Sequence, residues 1–215
     1  MYIKYKTYWR KTGLKGKWGD VFLNLVATHK PKNFLEIGVF CGVISINVCN
    51  LLNYLNKGQF NYTGIDLFGG AKKSEVDEIE PKFLKNQKFS NPLKNIYYNL
   101  ILKENLNSIK SVENLLKKYR KNVNLIQGDT NKVLRNLNLS NIDCVFIDGG
   151  HSYETVKNDL NILYDSLKDK QKPLICDDYG DLSCIPEVKK AVDDFVKLNK
   201  LKLNVIKNRF AEIIT

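Results

Sequence analysis

The chain has 215 residues, 43 % of them hydrophobic and 27 % charged, with a formal net charge of +11. That length suits one domain with a buried core. No run approaches the roughly 18 continuous apolar residues of a membrane span, and the opening MYIKYKTYWRK places charges where a secretion signal needs an apolar centre. A soluble, cytoplasmic protein is expected. The charge by itself would favour polyanions such as nucleic acid. The basic residues, however, are spread along the whole chain and are 30 Lys against four Arg, whereas surfaces that read bases rely on Arg. A compositional bias explains the charge, and nucleic acid is not the expected partner. Cys41, Cys49, Cys144, Cys176 and Cys184 lack paired metal-knuckle spacing and read as reduced core thiols.

In chain order, apolar runs rich in branched residues recur at 33–37, 61–66, 123–127, 142–148 and 173–177, separated by segments of helical period. This alternation predicts a parallel sheet with crossover helices. Ser152 is placed to cap a helix whose buried face is Tyr153, Val156, Leu160, Leu163 and Leu167; Pro186 opens another with Val188, Val192, Phe195 and Val196. The last two runs, 201–206 and 209–214, are joined too tightly for a crossover and predict an antiparallel hairpin. Residues 1–30 read as an N-terminal helical cover. Residues 67–122 exceed what a crossover needs and read as an insertion, with FGGAKK, breaks at Pro81 and Pro92, and one long helix over about 93–119. It is either a lid or a peripheral helical addition.

NFLEIGVFCG runs a strand into Glu36, Gly38 and Gly42, glycines that let backbone turn tightly against a ligand at the next helix N-terminus. Phe40 stands where a dinucleotide fingerprint needs Gly, which disfavours NAD. Asp66 ends the second strand, where a carboxylate can accept both ribose hydroxyls. Asp129, followed by Thr130, ends the third and can accept from an adenine amino group. Asp148, Asp177 and Asp178 converge if the fourth and fifth strands are neighbours. Three carboxylates repel, and a hard divalent cation, Mg²⁺ being the expected one, would relieve that repulsion; the alternative is that some of them are caps or turn residues.

An acidic residue with Gly-x-x-x-Gly after strand one, Asp after strand two and Gly-Asp after strand three resembles the class I S-adenosylmethionine-dependent methyltransferases. That resemblance implies a Rossmann-like α/β fold, a seven-stranded mostly parallel sheet closed by the hairpin, with S-adenosylmethionine as cofactor. LEIGVFCG and LKGKWGD resemble the cofactor segments of catechol O-methyltransferases, whose metal ligands match Asp148, Asp177 and Asp178, with Asp in place of Asn at the last. DDYGDLSCIPEVKKAVDDF and GIDLFGG are closer to the macrocin-type enzymes that methylate antibiotic sugars. The resemblance therefore implies a metal-dependent O-methyltransferase acting on a sugar hydroxyl, with methylation of a phenolic or catechol-like molecule as the alternative. In the sugar enzymes an acidic residue stands two positions after the first metal Asp, where this chain has Gly150. His151, at the offset of the catechol-type Lys base, is the candidate to replace it, since a neutral imidazole accepts protons near neutrality. Tyr153, Tyr179, Trp9 and Trp18 are candidate walls for the acceptor, or packing residues. A competing reading from another class is an RNA-binding methyltransferase or an inactive binding module, suggested by the cations and aromatics of YIKYKTYWRK. The acceptor expected is a small molecule or glycan; a homo-oligomer is compatible with the sequence.

Overall fold

The computed structural model describes residues 4–69, 89, 91–103, 105–168, 170–180 and 185–215. The first three predicted strands have their expected bounds: β1 (Asn33–Ile37), β2 (Asn61–Asp66) and β3 (Val123–Gln127). The fourth run shortens to β4 (Cys144–Ile147) and the fifth to β5 (Pro173–Cys176). The start of β4 is set by Asp143, whose carboxylate accepts from the Lys32 and Asn33 N–H groups instead of extending the strand. At the other end, Asp148 donates its N–H to Ile37 O and Asp177 to Ile147 O before the chain leaves the ladder. Both aspartates are thus fixed one residue past a strand end.

β6 (Leu203–Ile206) and β7 (Phe210–Ile214) form the predicted hairpin, shorter than the runs 201–206 and 209–214. Three residues, 207–209, separate the paired Ile206 and Phe210, and Lys207 and Asn208, the central residues of the turn closed by Arg209 N–H to Ile206 O, both have positive φ, 53° and 55°. The sheet order is β3-β2-β1-β4-β5-β7-β6, parallel through β5 and antiparallel where β7 pairs with β5 and β6.

Strand alternation sends Phe34, Tyr62, Phe146 and Phe210 to one face and Leu35, Ile65, Val145, Leu174 and Ile213 to the other. The first face is covered by α1 (Lys17–His29) and α2 (Val43–Leu55), the second by α6 (Tyr153–Leu167) and α7 (Pro186–Asn199). Phe22 of α1 seats its ring 4.2 Å from that of Phe146; truncating it to Ala costs about 3–5 kcal/mol by the general scale for buried aromatics. Ser152 caps α6 by accepting from Thr155 N, and Pro186 opens α7, both as expected. Cys41, Cys49, Cys144 and Cys176 are buried free thiols, and Cys184 lies outside the described residues.

The single long helix expected over 93–119 is replaced by α3 (Pro92–Ile96), a π-helical turn (Tyr97–Ile101), α4 (Ile109–Leu116) and a 3-10 turn (Lys117–Tyr119). The break has local causes. Lys103 takes φ 48°, Asn105 Oδ1 accepts from Asn107 N, and Ser108 accepts from Ser111 N as the cap of α4. Asn and Ser side chains here offer the backbone partners that compete with a continuous helix. Of the insertion 67–122, read as either a lid or a peripheral addition, the charged segment broken at Pro81 lies outside the described residues. No described helix is long and apolar enough to cross a membrane.

Candidate active site

The strand order brings the C-terminal ends of β3, β2, β1, β4 and β5 side by side, so Asp129, Asp66, Gly38, Asp148 and Asp177 line one edge of the sheet. The turn after β1 has Gly38 at φ 89° and Gly42, the residue before α2, at φ 73°. A Cβ on Gly38 would lie 1.8 Å from the carbonyl oxygen of Asp148, so this glycine is what lets the turn after β1 and the carboxylate loop come together. Phe40, at φ 50°, donates its N–H to Asp66 Oδ2 at 2.8 Å, and Phe68 donates to Oδ1 at 2.7 Å. Asp66 therefore ties the second strand to the turn, and burial pushes its carboxyl up while those N–H groups pull it down.

Glu36 has no exposed surface. Tyr62 Oη donates to its Oε2 at 2.7 Å and Ser45 Oγ to its Oε1 at 3.2 Å. Burial pushes its pKa up to about 8, and its two bonds tie β1 to β2 and α2. Asp129 accepts from Asn131 N at 2.9 Å and caps α5 (Thr130–Val133). Thr130 Oγ1 donates to Asp159 Oδ2 at 3.1 Å, and the buried Asp159 carboxyl is pushed up to about 7.

The carboxylates of β4 and β5 divide into two groups. One oxygen each of Asp148 and Asp178 and a ring nitrogen of His151 lie within 4.8 Å of one another, a spacing that can enclose a metal ion. His151 Nε2 is 3.3 Å from Asp178 Oδ2. Burial pushes the Asp148 carboxyl well up, and the charges of Asp177, Asp178 and Glu36 push in the same direction. Asp177, the middle residue of the expected triad, instead accepts from Arg209 Nε at 2.6 Å and Nη2 at 2.8 Å. Its carboxyl is also raised by burial, against the pull of that guanidinium. Arg209 is backed by the rings of Trp18 and Phe210, each 5.7 Å away, and its Nη2 approaches Asp178 Oδ1 at 3.5 Å. His29, the other histidine, is occupied elsewhere: its Nε2 lies 2.6 Å from Glu212 Oε1.

A family model described as a methyltransferase domain matches residues 35–179, which run from within β1 through β5 and include every residue just named except Arg209, Trp18, Phe210, Glu212 and His29. The chain belongs to this methyltransferase family. Solved structures agree on the fold. The methyltransferase is similar to PaMTH1 from Podospora anserina, determined with S-adenosylhomocysteine bound, at 15 % identity and a TM-score of 0.59, covering 93 % of this chain and 78 % of that one. It is similar to the O-methyltransferase NovP at 18 % identity and a TM-score of 0.61, covering 92 % and 80 %. It is likewise similar to CalS11, a calicheamicin methyltransferase, at 18 % identity and a TM-score of 0.57, covering 91 % and 78 %. No curated protein sequence matches the chain.

The aromatic candidates fall into place differently. In the methyltransferase, Tyr179 Oη donates to Asp193 Oδ1 at 2.7 Å and receives Lys189 Nζ at 3.0 Å, while Tyr153 Oη donates to Asp194 Oδ2 at 3.0 Å. Both hydroxyls are engaged with α7. Trp9 packs edge-on against Tyr97 of the insertion, 6.3 Å between centroids. Trp18 alone of the four reaches the carboxylates, through Arg209. Arg209 is the site residue that reading strand ends does not find, because it enters from the hairpin tip. The available signal was its rarity: in a chain whose cations are overwhelmingly Lys, an Arg marks a place that needs a planar two-pronged donor.

Proposed function

We propose that this methyltransferase transfers the methyl group of S-adenosylmethionine to a hydroxyl of a sugar or glycosylated small molecule, with a divalent cation, Mg²⁺ in the first instance, held by Asp148 and Asp178. The observation that carries this reading is the meeting of Asp148, His151 and Asp178 directly beside the Gly38 turn, whose backbone abuts Asp148. Two carboxylates supply the hard oxygen ligands that a divalent ion takes, and the imidazole beside them is placed for proton transfer. The choice of a sugar rests on the resemblance of DDYGDLSCIPEVKKAVDDF to macrocin-type enzymes.

In this reading Gly38 and Gly42 keep the turn open to the cofactor, Glu36 ties β1 to β2 and α2, Asp66 faces the ribose, and Asp129 and Thr130 border the adenine. A bound cation would supply Lewis-acid activation of the acceptor hydroxyl. His151 Nε2 takes the hydroxyl proton, and Asp178 Oδ2, 3.3 Å away, stabilises the imidazolium that results. The acceptor oxygen forms its bond to the methyl carbon as the carbon–sulfur bond breaks and its electron pair returns to sulfur. No covalent enzyme intermediate is needed, so orientation supplies much of the rate.

The test is incubation with S-adenosylmethionine and Mg²⁺ against panels of glycosylated and phenolic acceptors, following S-adenosylhomocysteine and product mass. Transfer to sugar hydroxyls that stops on chelation, with S-adenosylhomocysteine binding retained, is the expected result. Transfer confined to phenols would overturn the sugar assignment, and full activity after rigorous metal removal would overturn the metal assignment.

A further inference from the structure

We infer that Arg209 is a positioning residue of this site: by claiming both oxygens of Asp177 it withdraws that carboxylate from the cation and leaves Asp148 and Asp178 as the carboxylate ligands. The inference rests on the reading that a divalent ion binds here, but concerns which residues hold it. Three observations support it independently. Asp177 is 3 % exposed and presents one oxygen to Nε and the other to Nη2, at 2.6 and 2.8 Å, so each oxygen is committed to a charge-assisted bond. The guanidinium is confined between this carboxylate and the rings of Trp18 and Phe210. Its backbone is fixed as well. The tip residues Lys207 and Asn208 have left-handed φ, and Asn208 O comes so close to Gly180 that a Cβ there would lie 1.5 Å from it. Arg209 is therefore held against the chain that follows Asp178.

Asp178, by contrast, takes φ 56°. That turn separates its side chain from that of its neighbour, and the two oxygens of Asp178 face different groups: Oδ1 toward Arg209 at 3.5 Å, Oδ2 toward His151 at 3.3 Å. The three carboxylates and one guanidinium thus leave two negative charges for a divalent ion, contributed by Asp148 and Asp178. Removing the guanidinium frees Asp177 to approach the ion, so the wild-type protein should bind the ion less tightly than a variant without it.

The experiment titrates Mn²⁺, followed by electron paramagnetic resonance of the free ion, into the full chain saturated with S-adenosylhomocysteine. Arg209→Met should tighten Mn²⁺ binding roughly tenfold, and Arg209→Lys, a single point charge, should do so by less. The double variant Arg209→Met with Asp177→Asn removes both charges at once. It should return within about threefold of wild type, while Asp148→Asn and Asp178→Asn each weaken binding on the order of 100-fold. S-adenosylhomocysteine affinity and circular dichroism establish that each variant is folded, and a purely structural role for Arg209 predicts weaker, not tighter, Mn²⁺ binding in Arg209→Met and Arg209→Lys alike. A double variant that loses Mn²⁺ as severely as Asp148→Asn would make Asp177 a ligand and overturn the inference. Wild-type protein that binds S-adenosylhomocysteine but no Mn²⁺ or Mg²⁺ would overturn the metal reading itself, an outcome separable from the first because it appears before any substitution.

Discussion

Glu36→Gln tests the buried carboxyl near the end of β1. Glu36 is fully buried, its oxygens accept from Tyr62 Oη and Ser45 Oγ, and its pKa is raised from the ordinary 4.5 to about 8. The folded protein therefore holds a proton there that the unfolded chain releases above about pH 4.5. Stability from this group is fully present below pH 4.5 and is lost as pH rises toward 8, with a slope of about 1.4 kcal/mol per pH unit between the two values. Across the full window the upper limit is about 5 kcal/mol, taken from a shift of 4.5 to about 8. Gln keeps the shape and hydrogen-bonding capacity of the neutral acid and carries no proton to lose. Urea unfolding of wild type and Glu36→Gln at intervals from pH 5 to 8.5 gives the comparison. The variant should match wild type near pH 5 and become progressively more stable relative to it as pH rises, and S-adenosylhomocysteine affinity at pH 6 should change less than about threefold, since the side chain faces core partners. Parallel stability curves for the two proteins would refute the buried neutral carboxyl. A large loss of cofactor affinity at pH 6 would mean that Glu36 faces the cofactor directly.

Gly38→Ala should fail to fold or lose more than about 3 kcal/mol, because the Cβ meets the Asp148 carbonyl at 1.8 Å and φ is 89°; near-wild-type unfolding would show that the turn can shift. His151→Ala should lower the single-turnover rate roughly 10²–10⁴-fold with cofactor affinity nearly unchanged, and an unaltered rate would reduce His151 to a structural neighbour of Asp178. Asp66→Ala removes the acceptor for Phe40 N and Phe68 N and should weaken S-adenosylhomocysteine binding by about 1–3 kcal/mol in calorimetry; unchanged affinity would confine Asp66 to backbone support.

The parallel core of the fold was legible because it is written in composition and period. Both faces of β1, β4 and β5 are buried, which forces continuous branched apolar runs, and the helices between them show one buried stripe each. Strand ends were less legible by one or two residues, since an apolar run does not reveal where a side chain such as Asp143 captures the neighbouring backbone N–H. The single helix expected over 93–119 breaks up for a related reason. The break depends on Asn105 and Ser108 bonding to local backbone and on Leu106 being drawn into contact with Cys41 and Tyr98, a tertiary event with no periodic signature.

The candidate site separates along the same line. Residues at strand ends could be placed from order alone, because parallel strands deliver whatever follows them to one edge; Asp66, Asp129, Asp148, Asp177 and Asp178 all arrive there. What order does not specify is which carboxylate is already compensated. Asp177 and Asp178 are adjacent in sequence and equivalent by motif, yet one is buried against a guanidinium and the other turns at φ 56° toward His151. Their difference is made by a residue 32 positions further on, delivered by an antiparallel hairpin whose tip conformation, not its hydrophobic pattern, sets where Arg209 points. Three like charges at one strand edge require a counter-charge from somewhere, and the chain supplies part of it covalently. On the proposed metal reading, the hairpin tip, outside the matched residues 35–179, sets how strongly the site would hold a cation, because its Arg209 already compensates Asp177.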